Sequence, residues 1–395
     1  MADSAETVPR SEGSRTRYPE TGSLALDVIE VPPLELTVVP VLYAENPDSS
    51  VIPWVDSIAD MGAESPQVGL FRYSFPFSEF SAKTREPYVT SLDFADEDKT
   101  WGLILELEPV YRAEKATGYW YAVANTQEDH EYVRGIARLN GLVSFGKPWD
   151  TELAHEVGHN LDLEHAPCGG ALFTDPDYPY PNGSIGVWGY DFRDGSVVSP
   201  ERRRDIMGYC YDLGWLSDYY FEKVIRVRAN KDETWTNGDL SGAGPEGEML
   251  VLWGGVLNGE LRIEPVHSMR TTPKLPAEGG DYRIEGFGRG GQTEFSLSFT
   301  PGEDQYGNKY FFFAVPIDGD WEDSLERITL TGPEGEVTVD QNDPRSLTIV
   351  TDPATGRIRA ILRDWNQALP SALGDTSGLE VVTTRGIVEA VRLGR

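Results

Sequence analysis

Three of the five histidines in this chain fall within eleven residues, His155-Glu156-Val157-Gly158-His159-Asn160-Leu161-Asp162-Leu163-Glu164-His165. No other feature limits the local fold as tightly. On a helix, residues four apart share a face, so His155 and His159 direct two imidazoles at one point while Glu156 sits beside them. His165 comes six residues later and would leave that face if the helix ran on, so the chain must turn sharply after about Leu161, with a helix-breaking residue near Asp162. Three neutral imidazole nitrogens leave the fourth position of a tetrahedral zinc to solvent, which is the open arrangement of a catalytic site. Zinc there lowers the pKa of water towards ~7 and polarises a carbonyl, and Glu156 is suited to move the proton to a leaving amine. The expected chemistry is peptide-bond hydrolysis.

The rest of the chain can support such a site. Its 395 residues and 39% apolar content are enough to bury a substantial core. With 65 Asp and Glu against 34 Lys and Arg, the net charge is −31. A surface this acidic repels phosphate backbones, so nucleic acid is not an expected partner. No apolar run reaches the ~18 residues of a membrane span, and the opening residues lack the basic and apolar stretches of a secretory signal. Residues 1–29 read as a disordered leader. No Gly-x-Ser-x-Gly elbow and no Asp-x-Asp-x-Asp-Gly calcium loop is present, and calcium is left open. His130 and His267 are isolated in sequence and read as exposed or hydrogen-bonded rather than catalytic.

Periodicity predicts strands at Leu34–Tyr43, with Pro40 tending to place it near an edge or bend, and around Gln67–Phe75. A helix is predicted over Asp96–Ala116, followed by strands at Gly118–Ala124 and Arg134–Phe145 and a short helix from about Asp150. Ala166–Arg204 is long and aperiodic, as functional loops often are. A helix capped by Ser217 ends near Asn230. Short alternating runs then follow from Met249 to Leu362, with hairpin turns at Gly332-Pro-Glu-Gly and Asp352-Pro-Ala-Thr-Gly, and they predict a β-sandwich. Leu379–Leu393 adds a strand or a short extension.

The motif His155-Glu156-x-x-His159-x-x-Asp162-x-x-His165, followed by Asp205-Ile-Met207-Gly-Tyr209-Cys210, resembles the metzincin metallopeptidases. The accompanying Trp215-Leu-Ser-Asp-Tyr makes it look most like secreted bacterial members, including those that cleave mucin-type glycoproteins. The resemblance covers roughly Leu34–Asn230. It implies zinc ligands His155, His159 and His165, the general base Glu156, and a Met-turn at Met207. Tyr209 matches the position from which a tyrosine reaches the zinc or the oxyanion in some branches, with an ordinary packed tyrosine as the alternative. Asp162 stands where the family has glycine in a left-handed conformation, which Asp tolerates. Arg134–Phe145 would form the strand along the cleft rim that pairs with extended substrate. The same fold would bring Cys168 and Cys210 close enough for a disulfide, implying an oxidising compartment, with two buried thiols as the alternative.

The resulting expectation is an α/β (α+β) metzincin-like domain at 30–230, an all-β sandwich at 231–370 and an extension at 371–395. The protein would be a secreted zinc endopeptidase acting on protein or glycoprotein, with a monomer as the default. The rival is a catalytically weak or inactive binding protein that acts through its sandwich.

Overall fold

A computed structural model of the chain describes residues 29–94, 97–125, 134–210, 214–229, 244–276, 279–304, 307–317 and 324–387. Residues 1–28 of the leader expected at 1–29, and His130, lie outside them. Strand β1 (Leu34–Tyr43) is the spine of the first sheet. It pairs in parallel with β2 (Phe80–Thr84) and β3 (Tyr88–Thr90) along one edge and with β4 (Tyr119–Val123) along the other. Pro40 therefore lies in an interior strand. It falls in the gap between the β1 residues that face β2 and those that face β3, where no partner stands opposite it on that side. Helices α1 (Ile52–Met61) and α2 (Gly69–Ser74) precede β2. The strand expected around Gln67–Phe75 is thus helical. Ser65 accepts a hydrogen bond from the Gln67 N–H and Pro66 opens the turn, a start signal that outweighs the short apolar run.

Helix α3 (Glu97–Ala113) leads into β4. The single strand expected over Arg134–Phe145 is two, β5 (Gly135–Ala137) and β6 (Val143–Gly146). They run antiparallel, and the turn between them holds Asn140 with φ at 60°. Among the described residues β5 ends the sheet, and β6 pairs in parallel with β4. Helix α4 (Asp150–Asn160) follows directly. The long segment after it is irregular apart from a hairpin of β7 (Gly189–Asp191) and β8 (Ser196–Val198), and β9 (Arg204–Asp205) pairs with β10 (Gly214–Trp215). Ser217 accepts a hydrogen bond from the Tyr220 N–H at the start of α5 (Asp218–Ala229).

Two further sheets come next. One is built on β11 (Gly247–Leu257) with β12 (Glu260–Ile263), β13 (His267–Thr271), β16 (Gly302–Glu303) and β17 (Lys309–Pro316); the other has β14 (Tyr282–Gly288), β15 (Thr293–Phe299), β18 (Leu325–Gly332) and β19 (Gly335–Asp340). Strand β13 was not anticipated. It carries His267, which is buried edge-on to Trp253, not exposed. Alternation along β11 and β17 explains their continuous apolar runs. Leu250, Leu252, Phe311 and Phe313 enter the core between the two sheets, whereas Val251, Trp253, Phe312 and Ala314 join the larger core that contains α3.

The strands β20 (Ser346–Asp352), β21 (Arg357–Arg363) and β22 (Glu380–Arg385) do not extend this pair of sheets. They extend the first sheet, in the order β22-β20-β21-β3-β1-β4-β6-β5, through the parallel pairing of β21 with β3. The run of strands expected as one sandwich up to 370 therefore divides at about residue 340. Alternation reveals a strand but not its neighbour. Both expected hairpin turns are present, Gly332 opposite Gly335 and Asp352 opposite Arg357. No helix among the described residues is long and apolar enough to cross a membrane.

Candidate metal centre

Helix α4 is buried from Glu152 to Asn160, with Asp150 and Glu152 in its first turn where acidic groups favour the helix dipole. It ends in a hydrogen-bond pattern that turns the chain back. The Asp162 N–H donates to the His159 carbonyl at 2.9 Å and the Leu163 N–H donates to the Gly158 carbonyl at 3.1 Å, with Asp162 at φ 70°. This is the left-handed stop that lets the chain reverse within two residues. The reversal brings His165 back to His155 and His159, and one nitrogen from each ring lies within 4.8 Å of the others.

Each imidazole is fixed by the backbone. His155 Nδ1 lies 2.8 Å from the Ile206 carbonyl, His159 Nδ1 2.6 Å from the Leu163 carbonyl and His165 Nδ1 2.6 Å from the Leu172 carbonyl. A carbonyl oxygen only accepts, so all three Nδ1 atoms carry the proton and all three Nε2 atoms present lone pairs. Burial holds His155 down to about 3 and His165 to about 4, and His159 well below its ordinary value, with the neighbouring imidazoles adding to the shift of His155 and His159. Neutral imidazole is the form that binds metal.

His155 Nε2 and His159 Nε2 face each other at 3.1 Å, and His165 Nε2 is buried without a hydrogen-bond partner. Lone pairs so placed repel one another unless a cation lies between them. Two nitrogens about 2.0–2.1 Å from a tetrahedral zinc stand roughly 3.3 Å apart, so the donor set fits such an ion.

The segment 205–210 supports this cluster from below. The Met207 side chain is buried against Gly158, where an added Cβ would lie 2.5 Å from Met207 Sδ. Only glycine allows so close an approach between the two histidines. Asp205 is buried, accepts the Met207 and Ser217 N–H groups at 2.8 Å each, and has its carboxyl pushed up to about 6 by that burial. Tyr209 is half-buried, with its ring 4.9 Å from that of His165. Cys168 and Cys210 form a disulfide that ties the His165 loop to this segment.

Glu156 is buried on α4 against Gly135 of β5, where an added Cβ would strike its carboxylate. One turn earlier, Glu152 is buried and hydrogen-bonded to Glu156. Desolvation raises the Glu152 carboxyl, partly offset by Arg134 and Lys147. Glu152 is not among the residues expected from sequence, although it stands at i, i+4 spacing from Glu156. Nor is Asn160, which donates to the Arg138 carbonyl at 3.1 Å and pins the β5–β6 turn to the helix. Nothing in the sequence marks that contact.

Residues 122–206, which carry all three histidines, match the Peptidase M66 family. A Dictomallein-like protein from Hahella chejuensis (strain KCTC 2396) is 40% identical over 68 residues, which is 17% of this chain and 10% of that protein. Wild-type OgpA from Akkermansia muciniphila aligns with a TM-score of 0.27 at 10% identity, over 82% of this chain and 95% of that one. A structure of a chaperone–substrate complex aligns at 0.28 and 12% identity, over 53% and 35%. Superpositions this loose carry no argument about fold or function.

Proposed function

We propose that this protein is a secreted zinc-dependent endopeptidase of the metzincin type that hydrolyses extended protein or glycoprotein substrates. The observation that carries the reading is the convergence of three Nε2 lone pairs, each set by an Nδ1–H on a backbone carbonyl, beside a buried glutamate. The match of this segment to a peptidase family supports it. The disulfide supports an oxidising, extracellular setting.

His155, His159 and His165 would hold the ion. When bound, zinc supplies a Lewis acid for the scissile carbonyl and lowers the pKa of water towards ~7. Glu156 takes the proton on its carboxylate and delivers it to the leaving amine. Glu152, buried one turn earlier and hydrogen-bonded to Glu156, orients it. Tyr209, beside His165, donates its hydroxyl proton to the developing oxyanion. Met207 and Asp162 act on shape alone, one as the floor under the ligands and the other as the turn that returns His165.

The test is hydrolysis of casein, gelatin and a mucin-type glycoprotein by the zinc-loaded chain. Cleavage that a chelator abolishes and zinc restores is the expected result. One zinc per chain with none of the three substrates cut would favour the binding-protein reading instead.

A further inference from the structure

The acidic excess of the chain does not hold everywhere on its surface. An open crevice of about 680 Å³ lies where the ends of β2 and α3 meet the β20–β21 turn, and it is lined by Lys83, Arg85, Lys115, Arg270 and Arg357 against only Glu114 and Glu246. Five of the chain's 34 bases thus surround one cavity in a molecule of net charge −31. None of the metal-centre residues lines it.

The cations are held but not used up. Arg85, buried at the floor, donates to Glu114 at 2.6 Å and to the Ile358 carbonyl at 2.8 Å, and its guanidinium lies over the Trp120 ring. Its Nε and Nη1 have no hydrogen-bond partner, nor does the buried Thr37 hydroxyl on the same wall. Lys115 and Arg270 share a single carboxylate, Glu246, at 2.7 and 3.2 Å. Lys83 reaches Glu35 only at 3.7 Å, and Arg357 pairs with Glu86; neither carboxylate belongs to the lining. Exposed pairs of this kind contribute little, so an incoming anion displaces them readily. Guanidinium and ammonium groups also carry more donors than one carboxylate takes up.

The size and the wall chemistry narrow the ligand. The volume lies in the range of organic ligands, roughly 300–1,000 Å³, and far exceeds what a bare oxyanion needs. Of fifteen lining residues only Ala113, Ala116 and Trp120 are apolar, whereas four are threonines. Such a wall offers no pocket for an apolar side chain but many partners for hydroxyls. We propose that this crevice binds an acidic saccharide, its sulfate or carboxylate groups taken by Lys83, Lys115, Arg270 and Arg357 and its hydroxyls by the threonines.

The test is calorimetric titration of the full chain at low salt with four hexamers: a sulfated saccharide, a polyuronate, a neutral glucan and hexaglutamate. At least one acidic saccharide should bind at one per chain, more tightly than hexaglutamate. The sulfated and uronate arms identify which anion is taken, and the neutral glucan should not bind. Added salt should weaken the binding. The pair Lys115→Ala and Arg270→Ala, both at exposed positions, should weaken it about tenfold or more. Arg226→Ala on α5, outside the crevice, should leave it unchanged. Failure of both acidic saccharides to bind at millimolar concentration, hexaglutamate binding as tightly as they do, or undiminished binding by the paired variant would each overturn the proposal. Every readout is independent of hydrolysis.

Discussion

Helix α4 and strand β17 are each buried along almost their whole length, but only the helix buries carboxyl, imidazole and amide side chains. The strand buries Tyr310 to Val315, all apolar or aromatic, and each residue enters one of two cores according to its parity. The helix buries Leu153, Ala154 and Val157 in the core but, unlike the strand, buries Glu152, His155, Glu156, His159 and Asn160 with them. Burying such groups is costly unless each finds a partner, whereas apolar burial stabilises at roughly 25 cal/mol per Å². Two backbone carbonyls, the Glu152–Glu156 hydrogen bond and an Asn–backbone contact meet that need on α4. The contrast teaches that β17 is composed for cohesion and α4 for holding groups in fixed states, so substitutions in the two should fail in different ways.

The sharpest separation should come from Glu156→Gln. Hydrolysis should fall by about 10²–10⁴-fold, measured as kcat/KM, while zinc content and the unfolding midpoint stay close to those of the parent. If stability fell along with activity, α4 would be a cohesive element like β17. The counterpart is Phe313→Ala, at a side chain packed 4.8 Å from the Phe299 ring in the inter-sheet core. It should cost about 3–5 kcal/mol in denaturant unfolding and leave the turnover of folded molecules unchanged.

A buried histidine outside the metal centre allows a finer comparison. Burial holds His267 on β13 down to about 3, below the ~6.5 of an unfolded chain. Between those values the unfolded chain binds the extra proton. The contribution of His267 to stability is therefore complete above pH ~6.5 and is lost as pH falls towards 3, at up to about 1.4 kcal/mol per pH unit. His267→Leu should show a shallower acid limb than the parent in urea unfolding across that window. An unchanged slope would mean that the imidazole is not held neutral by burial. The smallest effect should come from Asp162→Gly, which removes the cost of a side chain at φ 70°. It should leave activity intact and change stability by no more than about 1 kcal/mol, in the stabilising direction. A loss of zinc affinity instead would show that the Asp162 side chain does more than turn the chain.

The legible part of the site was the part written in side-chain spacing. His155, Glu156 and His159 follow from the helical period, and the need to return His165 pointed to a turn at Asp162. The acceptors that set the imidazole tautomers are carbonyls of Ile206, Leu163 and Leu172, and any residue supplies a carbonyl, so the sequence could not mark them. The fold divides in the same way. Leu34–Tyr43 and the hairpin turns at Gly332 and Asp352 were readable because alternation and turn chemistry are local. The return of β21 to β3 was not, because the pairing joins segments more than 250 residues apart and leaves no local trace. At 66–74 the local signal is the Ser65–Pro66 helix start, which competes with a short apolar run that a strand would also show.

X-ray absorption at the zinc edge of the loaded protein tests whether three imidazoles share one ion through Nε2. One zinc per chain is expected, with three imidazole nitrogens at about 2.0–2.1 Å and one further light-atom ligand. Sulfur scattering at about 2.3 Å, fewer than three imidazoles, or no retained zinc would contradict it.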